Sequence, residues 1–321
     1  MIPRRLLACV VLPGLLAAGA GMAWAQNYPL RPIRIIVPGT GNFFDIAARL
    51  YAKEISGPLG QPVIVDNRAN GIAAAELTAQ SPADGHTLLI STGTLWLAPF
   101  IQEKVSFDPV RDYAPITLTT RSPLVLIVHP SLPVASASDL IKLAKAKPGV
   151  LNYAVPGVGS TAHLAAELFK SMAAINTVQV GYRSSGAAVI DLMAGHVQWM
   201  FSVTGGVAEH VKSGKLKALA VSTAQPTALV PGLPTIAATG LPGFSAVSTA
   251  GMFAPANTPA AIIHRLNQEF VRVLNTADMK ERLFKLGVDG VGTTPEEFAA
   301  FIKADMAGMG KVIKAAGIHA Q

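Results

Sequence analysis

Residues 151–170 read LNYAVPGVGSTAHLAAELFK. Leu151, Tyr153 and Val155 alternate as strand residues do, whereas Leu164, Leu168 and, just beyond, Met172 recur at helical spacing. Pro156, Gly157 and Gly159 mark a turn between the two patterns. The segment therefore predicts a strand, a glycine-containing loop and a helix that starts near Ser160 or Thr161. A helix start leaves backbone N–H groups without intrahelical partners, all pointing one way. With the hydroxyls of Ser160 and Thr161 they make a seat for a carboxylate or another anion. The same residues also serve a purely local purpose, with Ser160 or Thr161 as an N-cap and the glycines as a turn. The segment alone does not choose between these.

Outward from this unit the chain keeps alternating. Strands are predicted at 32–37 (PIRIIV), 62–66 (PVIVD) and 87–91 (TLLIS). A helix over 45–56 carries Ile46, Leu50 and Ile55 on one side, and a second helix covers Glu76. Residues 114–128 form a long extended stretch broken by Arg121-Ser122-Pro123. A helix over 138–146 leads to the strand at Leu151, and the alternation continues through 178–181, 187–194, 197–202 and 216–222. After a Pro-rich loop (Pro226, Pro231, Pro234, Pro242), residues 244–253 are extended, and the remainder is helical apart from a short stretch near Val288. Strands spaced by helices of this length imply βαβ units and mainly parallel sheets. Two such groups flank the long extended stretch, so the expected fold is α/β with two lobes linked by crossings near 115–125 and 245–253. The expected limits are 26–120 for the first part of lobe 1, 121–248 for lobe 2 and 249–321 for the return to lobe 1. A ligand cleft is expected where strand C-terminal ends of the two lobes face each other, closed by a hinge motion.

The N-terminus sets the expected compartment. Arg4 and Arg5 precede an apolar run from Leu6 to about Ala20, followed by Ala23-Trp24-Ala25. This is the pattern of a signal peptide over residues 1–25, cleaved after Ala25, and it predicts a periplasmic protein. The apolar run is short for a membrane span, and Cys9 precedes it instead of following it, which argues against lipidation. Cleavage removes the single cysteine, excluding disulfides and thiol chemistry from the mature chain. It leaves 296 residues and, with Arg4 and Arg5 gone, a formal charge of +5 in place of +7. Half the residues are hydrophobic, ample for one large domain or two ordinary ones. The basic residues are scattered, with no run or aromatic-interleaved stripe, so nucleic-acid binding is unsupported.

Catalytic and metal signatures are missing. There is no G-x-S-x-G elbow, no H-E-x-x-H and no phosphate-binding loop, since Glu209 stands where the first glycine before Gly214-Lys215 would be. Gly157-Val158-Gly159 lacks the third glycine of a dinucleotide fingerprint. The seven histidines show no i,i+3 or i,i+4 pair suited to a metal. Neither a metal nor a cofactor is expected. His163 lies in the first turn of the helix after the glycine loop, either as a packing or capping residue or in contact with a ligand.

The wording of several segments resembles the Bug family, the solute receptors of tripartite tricarboxylate transporters. The resemblance rests on Tyr28-Pro29 with Arg31-Pro32-Ile33-Arg34, on Leu59-Gly60-Gln61-Pro62-Val63 and on Asp66-Asn67-Arg68. It continues with Ala83-Asp84-Gly85-His86-Thr87-Leu88-Leu89, with Asp108 to Pro115 (DPVRDYAP) and with Leu151-Asn152-Tyr153-Ala154. Gly159-Ser160-Thr161-Ala162-His163, Gly214 to Ala220 (GKLKALA), the prolines from Pro231 to Pro242 and Thr294-Pro295-Glu296-Glu297-Phe298 extend it over nearly the whole mature chain. The resemblance implies a two-lobed periplasmic binding fold, a ligand with one or more carboxylates, no catalysis, a monomer and transfer of the ligand to membrane permease subunits. By position it implies a first-lobe loop at Gly39 to Asp45 (GTGNFFD), with Thr40, Gly41, Asn42 and Phe43 near ligand and Asp45 as N-cap. It further implies ligand contacts from Thr92, Gly93 and Thr94, from Gly157, Gly159, Ser160, Thr161 and His163, and from Tyr182 and Ser202. Arg68 serves either a ligand carboxylate or a structural pair with Asp66.

The departures from the family pattern bear on the ligand. Phe43 and Phe44 occupy a loop that is usually richer in glycine, and Ala69-Asn70-Gly71 replaces a Pro-Gly-rich turn. Leu95 and Ala98 stand where His and Asn are common, and Ser202 stands where an acid is frequent. The cleft is therefore expected to be less polar, without an acid at 202 to meet an ammonium, which favours an aromatic or otherwise apolar carboxylate. Two rival classes remain compatible with the sequence: a secreted α/β hydrolase, and a ligand sensor for a signalling partner.

Overall fold

The computed structural model describes residues 28–102 and 104–319; the signal peptide expected over 1–25 lies outside them. Apolar runs in β1 and β3, buried on both faces, centre the first lobe. β1 (Ile33–Pro38), α1 (Phe43–Leu59), β2 (Val63–Arg68), α2 (Gly71–Ala79) and β3 (Thr87–Thr92) follow one another as βαβ units, and β1 pairs in parallel with both β2 and β3. Two short helices, α3 (Gly93–Trp96) and α4 (Ala98–Ile101), were not legible in the sequence pattern. The long strand β4 (Tyr113–Val128) then leaves this lobe. The second lobe comprises α5 (Ala137–Ala146), β5 (Asn152–Val155), α6 (Thr161–Ala173), β6 (Val178–Gly181), α7 (Ser185–Met193), β7 (Trp199–Val203), α8 (Ala208–Lys212) and β8 (Lys217–Val221). There β5 pairs in parallel with β6 and β7. β9 (Val247–Pro255) returns to the first lobe, followed by α9 (Ala260–Leu274), α10 (Ala277–Lys285), β10 (Asp289–Gly290) and α11 (Pro295–Ala316).

The sheet order is β2-β1-β3-β9-β4-β7-β5-β6, with β8 and β10 each pairing β4 off this path. The βαβ units are parallel, as their connections require; the two crossing strands are antiparallel to each other and to their neighbours. β4 is unbroken, contrary to the expected interruption at Arg121-Ser122-Pro123. Residues 113–123 pair with β9, while 124–128 pair with β7 and β8. Pro123 thus falls where the strand exchanges partners, a place where a missing N–H costs little.

Each lobe is packed on both sheet faces. In the first, Ile33, Ile35, Tyr51, Ile55, Leu266 and Phe270 join β1, α1 and α9 on one face, and Trp96, Phe253, Phe298 and Ile302 join α3, β9 and α11 on the other. In the second, Tyr153, Phe169, Trp199, Phe201 and Phe244 form an aromatic cluster on one face, with Val125, Ile127, Leu192 and Met200 on the other. The α1 face differs from the one read off the sequence: Ala47, Ala48, Tyr51 and Ile55 are buried and Ile46 is exposed. The helix begins at Phe43, not Asp45, because Asn42 is its cap. The Asn42 side chain accepts the Asp45 N–H at 3.0 Å, and the Asp45 carboxylate reaches back to accept the Gly41 N–H at 2.8 Å. That backbone bond is the main reason the Asp45 carboxyl sits below its usual range. Met172, expected on the apolar stripe of α6, is exposed.

Candidate ligand-binding cleft

Helix starts from both lobes converge on the cleft. At the start of α6, Ser160 is the N-cap and its Oγ accepts the His163 N–H at 3.3 Å. The Gly159 N–H turns inward to His163 Nδ1 at 3.1 Å. That leaves the N–H groups of Thr161 and Ala162 without partners among the described residues. The starts of α1 and α7 repeat the arrangement, with side-chain caps from Asn42 and Ser184 and with Phe43, Phe44, Ser185 and Gly186 donating to nothing within the described chain. At α3 the Thr92 and Thr94 hydroxyls share a hydrogen bond of 2.9 Å.

Two cavities occupy this region and meet at Thr249. The larger, about 550 Å³, lies between the α1 start (Asn42, Phe43, Phe44), the α7 start (Ser185), Gly205-Gly206 and the loop from Lys285 to Val288. Thr120, Ser122 and Ser248 on the crossing strands form part of its wall. The smaller, about 200 Å³, is lined by Gly93 and Thr94, by Gly159 and Thr161, by Ser245 and Thr249, and by Phe301, Asp305 and Met309 of α11. Phe43 and Phe44, edge to face with centroids 5.4 Å apart, are half-buried and line the larger cavity. The exposure of Ile46 has the same origin, since it lines that cavity too.

Of the residues singled out in the sequence, Asn42 and Phe43 border the larger cavity, and Gly93, Thr94, Gly159 and Thr161 border the smaller. Thr40 and Gly41 are exposed in the loop before α1, with Gly41 at φ 70°. Gly157 holds φ 151°. The others have partners inside the protein. Arg68 pairs with Asp66 at 2.6 Å, the structural alternative. Tyr182 donates to Asp191 at 2.8 Å. Thr92 is buried as the α3 cap, and Ser202 is buried with its Oγ 3.3 Å from the Val203 carbonyl oxygen. His163 is 2 % exposed and holds the loop from behind.

Sequence reasoning missed the crossing-strand hydroxyls and α11. Phe301, Asp305 and Met309 recur at i, i+4 and i+8, a stripe whose single acid was the available signal. Asp305 Oδ2 accepts the indole N–H of buried Trp96 at 2.7 Å. Burial pushes its carboxyl above the ordinary range, opposed by that hydrogen bond. Among the described residues no group of three or more His, Cys, Asp or Glu could hold a metal ion, and no helix is long and apolar enough to cross a membrane.

Two α/β lobes joined by two strands, with helix starts of both facing one cleft, define a two-lobed solute-binding protein. The chain belongs to the tripartite tricarboxylate transporter family of receptors, whose pattern matches residues 47–318. BugT of Bordetella pertussis is 36% identical over 323 residues, spanning 98% of each chain. Among solved structures, R. palustris Rpa4515 with adipate is 34% identical with a TM-score of 0.80, covering 91% of this chain and 99% of its own. MatC (Rpa3494) from Rhodopseudomonas palustris with bound malate is 28% identical with a TM-score of 0.74, covering 89% and 100%. The family resemblance and the receptor reading drawn from the sequence are borne out, and the hydrolase and sensor alternatives do not fit this family.

Proposed function

We propose that the mature chain is a periplasmic receptor that binds a small carboxylate between its lobes and passes it unchanged to the permease subunits of a tripartite transporter. The observation that carries this reading is the convergence of the α1, α6 and α7 starts, each with unpaired N–H groups, on one cleft. Helix starts attract anions through oriented N–H groups and the helix dipole, and the similar structures solved with adipate and malate hold carboxylates. The lobes take residues 26–120 with 249–321 and residues 121–248, the hinge lies where β4 and β9 cross, and the receptor acts as a monomer without catalysis. Phe43 and Phe44 favour a ligand with an apolar or aromatic body, whose burial contributes about 25 cal/mol per Å².

A thermal-shift panel on residues 26–321 tests this with benzoate, phenylacetate and phthalate against citrate, glutamate and aspartate. The expected result is stabilisation by aromatic acids, and mass spectrometry of the recovered ligand should find it unchanged. Stabilisation by citrate or glutamate and by no aromatic acid would overturn the aromatic preference. Stabilisation by no carboxylate, aromatic or aliphatic, would overturn the receptor reading itself.

A further inference from the structure

We propose that Asp305 is a specificity-determining residue that accepts a hydrogen bond from a hydroxyl on the ligand, so that the receptor prefers hydroxy acids to the corresponding plain acids. The inference rests on the carboxylate-receptor reading and narrows its ligand class. Asp305 reaches the 200 Å³ cavity from α11, while Thr161, at the start of α6, reaches it from the opposite lobe. The two ends differ in chemistry. Thr161 offers an unpaired N–H and a hydroxyl to an anion, whereas Asp305 offers only acceptor atoms when ionised.

The Asp305 carboxylate is fixed but only half used. Oδ2 is anchored by the Trp96 indole at 2.7 Å. Among the described residues Oδ1 has no hydrogen-bond partner and no cation pairs with the group. Arg121 instead stacks over the Phe301 ring, 5.9 Å from its centroid. Capping the indole needs a single acceptor, which a neutral side chain would supply without the cost of placing a charge in a largely buried site. Asp305 borders a space that has Phe301, Met309, Leu97 and Leu164 as apolar walls. That space holds the equivalent of about six waters at ~30 Å³ each, and Asp305 and Thr161 both border it.

A plain carboxylate tail brought to Asp305 would meet like charge. An ammonium would have to be stripped of its hydration to pair there, a penalty that a buried ion pair often fails to recover. A hydroxyl donates one bond at less desolvation cost.

Matched acids differing in one hydroxyl read the proposal directly: malate against succinate, and mandelate against phenylacetate, titrated calorimetrically into residues 26–321. The expected result is at least about tenfold tighter binding of the hydroxy acid in one pair, the range for hydrogen bonds to a charged group. In Asp305→Asn, where the amide oxygen can still cap Trp96, that ratio should fall toward one. Melting temperatures of both proteins, together with Trp96→Phe, which removes the indole anchor and leaves the carboxylate, separate this from a packing defect. Equal affinity within every pair, an unchanged ratio in Asp305→Asn, or tighter binding of aspartate than of malate would overturn it. Binding of neither member of any pair would overturn the receptor reading with it.

Discussion

The imidazole of His163 accepts the Gly159 N–H through Nδ1, which requires that nitrogen to be unprotonated. Burial lowers the His163 pKa from its ordinary 6.5; Glu167 and Gln179 oppose this and Lys170 adds to it. Because the folded value lies below the unfolded one, the unfolded chain binds more protons between the two. Stability is therefore fully present above 6.5 and declines as pH falls below it toward the folded pKa. Urea unfolding from about pH 8 to 5 should show this slope, and His163→Phe should flatten it. Ser160 is a second case. As N-cap of α6 it contributes about 1 kcal/mol, so Ser160→Ala should lower the melting temperature. If the hydroxyl also donates to ligand, affinity should weaken by about 1.5–3 kcal/mol as well; calorimetry on the same variant tells the two roles apart. Ser160, Gly159 and Thr161 were legible because capping and turn chemistry are local. Asp305 was not, since its meaning depends on Trp96, 209 positions away in the chain.

Among the elements, β9 and α11 meet closely at Gly251. A Cβ added there would lie 2.1 Å from the Phe298 ring, which is fully buried. Gly251→Ala must therefore displace α11 or distort β9, and should destabilise the fold by about 1–3 kcal/mol, the usual cost of overpacking a core. Chemical denaturation measures it, and an unchanged midpoint would mean that α11 is not seated on the sheet as described. Periodicity located nearly all the strands and long helices, because buried β-branched runs and Gly-Pro punctuation are local signals. It misplaced the buried face of α1, where small residues, Ala47 and Ala48, pack inward while Ile46 turns to the cleft. Hydrophobicity cannot distinguish an apolar residue facing the core from one facing a ligand cavity. The same ambiguity hid the four-residue helices α3 and α4, too short to show a period.

At the scale of the molecule, the lobes touch where glycine backbone meets side chains of the other lobe and where an apolar side chain crosses between them. Gly159, in the loop before α6, lies so close to Ile101 that an added Cβ would stand 2.9 Å from its Cδ1, and Gly159 itself holds φ 74°. Leu164 of α6 joins the core formed by α3, α4 and α11 of the first lobe. On the other side, Gly287 would bring a Cβ to 3.2 Å from the Gly205 nitrogen. Gly159→Ala should thus impose backbone strain and force the lobes apart at the α6 start. The expected outcome is reduced ligand affinity, measured by calorimetry beside a melting curve. Two lobes and two crossings could be inferred from element order alone. How closely they approach depends on side-chain sizes at positions distant in sequence, which no local pattern encodes.

The partner exchange along β4 reaches into how the chain acquires its structure. β3, paired with β1 on one side, finds its other neighbour in β9, and β4 completes its first-lobe pairing with β9 and β10, both of them beyond residue 246. A chain made N-terminus first therefore presents β1, β2 and β3 long before their sheet can close, while every strand of the second lobe has already emerged. On this order the second lobe has all its strands available first, while the hydrophobic strands of the first lobe still lack the edge that β9 supplies. Exposed strand edges are sites of mispairing between chains. Truncation anywhere within β9 should therefore yield aggregation instead of a soluble half-molecule.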